Sequence, residues 1–121
     1  MPNVSVTFTP SNPTQQINCN PDTVPVPYGN AQVVNFNLNG PQGAVFSQNG
    51  IVFKAASPGT LTRVSDVQYQ LTDDNDNTSG SDIDYPYSVN ITYNGQPYTL
   101  DPQVENETGG GGGGGLRYKS A

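Results

Sequence analysis

Residues 85–100 read Tyr85-Pro86-Tyr87-Ser88-Val89-Asn90-Ile91-Thr92-Tyr93-Asn94-Gly95-Gln96-Pro97-Tyr98-Thr99-Leu100. From Tyr85 to Tyr93 every second residue is aromatic or aliphatic, the spacing that lines one face of an extended strand. Asn94-Gly95 then suits a two-residue reversal, because both turn residues must accept positive φ. Counting outward from the turn sets Ile91 opposite Tyr98 and Val89 opposite Leu100, apolar against apolar. The stretch therefore predicts an antiparallel hairpin with one buried face. Pro97 lacks a backbone donor, which marks the second strand as a sheet edge.

The same alternation recurs along the chain. Val4, Val6 and Phe8 predict a first strand, Val34, Phe36 and Leu38 a second, and Val67, Tyr69 and Leu71 a third. Asn49-Gly50 predicts another hairpin, pairing Gln48 with Ile51, Phe46 with Phe53 and Ala44 with Ala55. Between Pro10 and Pro27 five prolines punctuate a long irregular stretch unsuited to a central strand. Helical periodicity is missing. The reading is an all-β fold, an antiparallel immunoglobulin-like β-sandwich of about seven strands. With no tryptophan and one cysteine, the label describes architecture alone.

A chain of 121 residues has room for one core. Its apolar fraction of 32% and net charge of −6 lean toward disorder. The low charged fraction of 12% and the regular apolar spacing oppose that. Residues 1–108 are expected to form the sandwich domain. Residues 109–121, seven glycines and then Leu116-Arg117-Tyr118-Lys119-Ser120-Ala121, read as a flexible linker with a short C-terminal peptide, engineered or natural. Leu116 and Tyr118 would point the same way from an extended segment and are predicted to bind an exposed strand edge by strand addition. Such an edge also invites self-association.

Residues 1–108 hold all ten acids against Lys54 and Arg63, a net of −8. An acidic body without a basic stripe repels phosphate backbones, so a nucleic-acid partner is not expected. No apolar run approaches membrane-spanning length. The start lacks the basic and apolar segments of a signal peptide, which implies a cytoplasmic protein if Met1 is native and a secreted one with its leader removed otherwise.

Histidine is absent, which removes the usual general base, the histidine-activated nucleophiles and the commonest transition-metal ligand. Cys19 stands alone and reads as an inert buried thiol. Residues 73–84 crowd oxygen donors together, and Asp73, Asn75, Asp76, Asn77, Asp82 and Asp84 are the candidate ligands for calcium. Asp73-Asp74-Asn75-Asp76-Asn77 resembles the D-x-N-D-N run of cadherin repeats, without the partner motif of that family. The structural alternative is a solvated acidic turn. Asp101, Glu105 and Glu107 are the other acids that could pair for glycoside hydrolysis, but their spacing does not place them across a cleft. Tyr69, Tyr85, Tyr87, Tyr93 and Tyr98 read first as core, and second as a sugar-stacking surface.

The segment from Tyr87 to Asn106, with its tyrosine-rich hairpin and Asp101-Pro102, resembles the end of the bacterial DP-EP proteins. These are small β-sandwich proteins without an assigned activity. Gln103-Val104 stands where that family carries Glu-Pro. The resemblance implies a bacterial sandwich and transfers no catalytic residue. The functional expectation is a non-catalytic binding or structural module with a protein or carbohydrate partner. The alternatives are a calcium-stabilised, adhesin-like extracellular module and a carbohydrate-binding module that uses exposed tyrosines.

Overall fold

In the computed structural model, which describes residues 3–108, the Asn94-Gly95 reversal falls where alternation puts it. β8 (Ile83–Tyr93) and β9 (Gln96–Leu100) pair with Ile91 opposite Tyr98 and Val89 opposite Leu100. Asn94 and Gly95 adopt φ of 51° and 75°, the left-handed values such a turn requires. The register then outlasts the hairpin. Beyond Asp101-Pro102, β10 (Gln103–Asn106) continues along the same side of β8 without losing count, with Gln103 opposite Pro86 and Asn106 opposite Ile83. Tyr87 donates its backbone N–H to the Pro102 carbonyl at 3.0 Å across the interruption.

The remaining strands are β1 (Asn3–Phe8), β2 (Ile17–Asn20), β3 (Thr23–Val26), β4 (Gly29–Asn39), β5 (Val45–Phe53), β6 (Gly59–Ser65) and β7 (Gln68–Asn75). Sheet I has the order β2-β1-β4-β7-β6. Sheet II has the order β3-β10-β8-β5, with β9 also on β8. The all-β sandwich stands, with ten strands among the described residues rather than about seven.

Three expectations need correction. The first is strictly antiparallel pairing: β1 runs parallel to β4, and β3 parallel to β10. The second is the irregular stretch, which contains β2 and β3, one at an edge of each sheet. Pro25 sits within β3, where an edge position tolerates a missing N–H.

The third is the hairpin at Asn49-Gly50. β5 runs through those residues as one strand beside β8, with Phe46 opposite Ile91, Phe53 opposite Tyr87, and a bulge between Phe46 and Ile51. The bulge is stitched from several directions. Gly50 N–H donates to the Tyr69 hydroxyl at 3.1 Å. Arg63 donates to the Ser47 carbonyl at 2.7 Å and the Phe46 carbonyl at 3.1 Å, and Asn90 Nδ2 to the Asn49 carbonyl at 2.8 Å. Glycine is required at 50 for room: a Cβ there would stand 2.6 Å from Phe46 Cβ and 2.9 Å from Tyr69 Cε1.

Inward side chains from both sheets fill one core. Val4, Val6 and Phe8 of β1 and Val34 and Phe36 of β4 face Val89, Ile91 and Val104 of sheet II, all buried. Burying each such side chain contributes about 1.5–3 kcal/mol. Phe36 meets Tyr87 edge-on at 5.5 Å, and Phe46 meets Tyr69 at 5.0 Å. These contacts tie the sheets together through the middle of the sandwich.

Candidate functional site

The acidic stretch is strand before it is loop. β7 carries the inward alternation of Tyr69 and Leu71 on through Asp73 and Asn75, and Asn77 stays buried just beyond it. Asp74, Asp76 and Asp84 are exposed. Of the six candidate calcium ligands, the structure therefore gathers Asp73, Asn75 and Asn77 into the interior, with Asp82 at the rim. It adds Asn106 of the facing strand and Thr108 just beyond it. Sequence reading missed those two, although Val104, Asn106 and Thr108 alternate; the inward positions simply turn polar.

This polar seam closes one end of the sandwich. Asn75 Nδ2 donates to the carbonyls of Val26 and Glu107, both at 2.9 Å. Asn77 Nδ2 donates to the Ser81 carbonyl at 2.8 Å and the Asn106 carbonyl at 3.0 Å. Their Oδ1 atoms accept backbone N–H groups from Asn77 and Ser79. Thr108 N–H donates to Asp82 Oδ1 at 3.1 Å. The amides thus bind backbone groups where the strands of both sheets end, among them the Val26 carbonyl, which also accepts the Glu107 N–H at 3.0 Å. Asp73 is fully buried and receives Asn106 Nδ2 at 3.1 Å. Burial pushes its carboxyl up to about 6, against the lowering effect of that hydrogen bond, with the charges of Asp74 and Asp76 adding to the rise. Among the described residues no three acidic or thiol side chains converge as a metal site would need. Calcium takes six to eight oxygens, and the Asn75 and Asn77 oxygens are already committed.

The other acids stand apart. Asp101 is exposed and held below its ordinary value by the Ser88 hydroxyl at 2.9 Å and by Lys54 at 3.2 Å. Glu105 is buried on β10 across from Asp84 and Pro25. The tyrosines are core or core rim. Tyr69 and Tyr87 are buried, while Tyr93 and Tyr98 close on Phe8 edge-on at 5.4 and 4.8 Å. Among the described residues, Tyr28, outside that set, is the tyrosine that is largely exposed. The lone thiol of Cys19 is buried, as its sequence context suggests.

The strand edges differ in how they are closed. β3 carries Pro25, and β9, which pairs along β8, carries Pro97. β2 is four residues long, and Gln15 Nε2 covers its Ile17 carbonyl at 3.0 Å. Arg63 and the bulge occupy the β5 edge. β6 has seven residues and no proline, and Thr60, Thr62 and Val64 on it are exposed and β-branched.

Leu116 and Tyr118 lie outside the described residues. No helix among the described residues is long and apolar enough to cross a membrane. No protein-family model matches the chain, and no curated protein matches it in sequence.

Proposed function

We propose that this chain is a non-catalytic binding module that receives an extended segment by strand addition at β6. The observation that carries this reading is the contrast between edges: β2, β3, β5 and β9 each bear a closing device, while β6 carries no proline, and its own bulge and Arg63, which reaches across to β5, are confined to its last residues, 63–65. A long, β-branched edge of this kind pairs readily with another strand. The segment 116–121 fits by chemistry. It alternates Leu116 and Tyr118 with Arg117 and Lys119, and its basic charge complements an acidic body. It also fits by reach. Gly59 of β6 pairs with Asp73, whose partner Asn106 lies just before Thr108. Seven glycines extend at most about 25 Å, enough to return to that end of β6.

The test compares the full chain with one ending at Thr108, by amide spectra and thermal unfolding. Tail docking predicts shifted β6 amides and a lower Tm on truncation, with recovery when the hexapeptide Leu-Arg-Tyr-Lys-Ser-Ala is added. Identical spectra and Tm discard it. The resemblance of residues 87–106 to the bacterial DP-EP proteins belongs to the same proposal, and Asp101-Pro102 stands where β9 gives way to β10. A calcium-stabilised module is the competing reading. It requires Tm to climb at millimolar calcium, because an ion bound to the folded state alone must stabilise it.

A further inference from the structure

The outward face of sheet I is uncharged across its breadth. Alternation turns Val4, Val6, Val34, Phe36, Tyr69 and Leu71 inward, and their neighbours outward. Those neighbours line up in rows. One row runs Asn20, Ser5, Asn37 and Gln68, strand by strand in register. The next runs Asn3, Asn35, Gln70 and Thr62. Flanking rows bring Asn18 beside Thr7 and Thr60 beside Thr72. Half-buried Val33 and exposed Val64, at the bulged end of β6, are the apolar members of this face. Asp74, at the end of β7, is the ionisable residue that alternation turns to this side, and its Oδ1 accepts the Ala31 N–H.

The rest of the molecule makes this notable. All ten acids and both cations of residues 1–108 lie elsewhere or, in the case of Asp74, at its end. Exposed sheet faces ordinarily mix lysine and glutamate into such positions for solubility. Here amides and hydroxyls, each a donor and an acceptor, stand at about 4.8 Å between strands and about 6.8 Å along them, with Gln70 Nε2 donating to Asn35 Oδ1 at 3.1 Å within the array. Five strands make the array about 20 Å wide.

We propose that this face binds a neutral, hydroxyl-rich polymer, an uncharged polysaccharide lying across the strands. Amide side chains present a donor and an acceptor side by side, matching vicinal hydroxyls that both give and take hydrogen bonds. Other partners fit less well. A polyanion or polycation finds no counter-charge here. A protein interface needs a large apolar anchor, and half-buried Val33 with Val64 at the β6 rim is a poor one. A second copy of the chain would bury amide against amide without apolar gain, under net repulsion. The glycan-binding surface is thus the sheet face, and the tyrosines of the sequence reading play no part in it. The inference is independent of strand addition at β6.

Native affinity electrophoresis of the full chain through gels containing galactomannan, xyloglucan, mixed-linkage β-glucan or dextran tests this, with alginate as the charged comparison. Retardation by at least one neutral polymer is expected, and it should weaken about tenfold in the double variant Asn35→Ala, Gln70→Ala, as loss of one or two hydrogen bonds implies. Thr99→Ala, on the other sheet, should leave it unchanged. Side-chain amide shifts of the unaltered protein on titration give the same answer without any variant, and should single out Asn35, Asn37, Gln68 and Gln70. No retardation by any of the four neutral polymers overturns the proposal. So does retardation by alginate alone, shifts mapping to another surface, or a concentration-dependent dimer built on this face.

Discussion

Asn106 Nδ2 donates to Asp73 Oδ1 at 3.1 Å across the two sheets, while Asp73 Oδ2 and Asn106 Oδ1 lie buried with no hydrogen-bond partner. Both leftover atoms are acceptors, so the contact is frustrated whenever Asp73 is ionised. A proton on Asp73 relieves it.

That frustration sets a pH dependence. The folded carboxyl titrates at about 6 against an ordinary 3.8, so the folded state holds its proton more tightly than the unfolded chain. The associated stability is complete below about pH 4 and is lost as pH rises through about 6. Asp73→Asn keeps the shape and supplies a donor. It should equal the parent near pH 4 and exceed it at pH 7 by on the order of 1–3 kcal/mol. Urea unfolding of both proteins from pH 4 to 7 reads the difference, and parallel curves would contradict the assignment.

Tyr87 makes the second test. Its ring packs against Phe36 and Phe53, yet its hydroxyl is buried without a partner, and burial drives its pKa far above the ordinary phenol value. Tyr87→Phe removes an unsatisfied polar atom and leaves the ring contacts. Stability should rise by about 1 kcal/mol, seen as a higher urea midpoint with an unchanged slope. A loss of stability would mean the hydroxyl has a partner in solution.

The two Asn-Gly pairs respond differently to alanine. At Gly95 a Cβ meets open space, and the penalty comes from φ of 75° alone, about 1–2 kcal/mol. At Gly50 the Cβ would collide with Phe46 and the Tyr69 ring, costing about 2–3 kcal/mol and loosening the Arg63 contacts. Thermal unfolding with amide exchange at residues 46–51 distinguishes the cases. Equal costs with no local exchange would restore the hairpin reading.

Cys19 should be silent. Burial, with the charge of Asp22 adding, pushes its thiol up to about 12. A disulfide reagent at pH 8 is expected to leave the native protein unmodified and to label it at once in denaturant. Rapid native labelling would place Cys19 nearer the surface.

Alternation made most of the fold legible, and pairing was harder to read. The Tyr85–Leu100 register came straight from the sequence, because a two-residue turn leaves one way to oppose the apolar positions. At Asn49-Gly50 the same pattern misled. Apolar Phe46 and Phe53 face the core whether the chain folds back or bulges, and residues distant in sequence, Tyr69, Arg63 and Asn90, hold the bulge. The polar seam escaped for a related reason. Asp73, Asn75 and Asn77 look like surface residues, and their inward direction depends on carbonyls of β3 and β10 that no local signal announces. The uncharged sheet face was spelled out in the intervening Asn, Thr, Ser and Gln residues, but it becomes a surface only when five strands are set side by side.

One ribbon, from Ile83 through the Asn94-Gly95 bend to Asn106, keeps a single count along its whole length. Its closure is local, whereas β5 and β3 must be recruited from far away in the chain, so the ribbon is the part of sheet II able to assemble first. An extra residue at that bend, with the two-residue turn kept, would turn Val104 to the solvent and bring Gln103 inside, and β3 would lose its template.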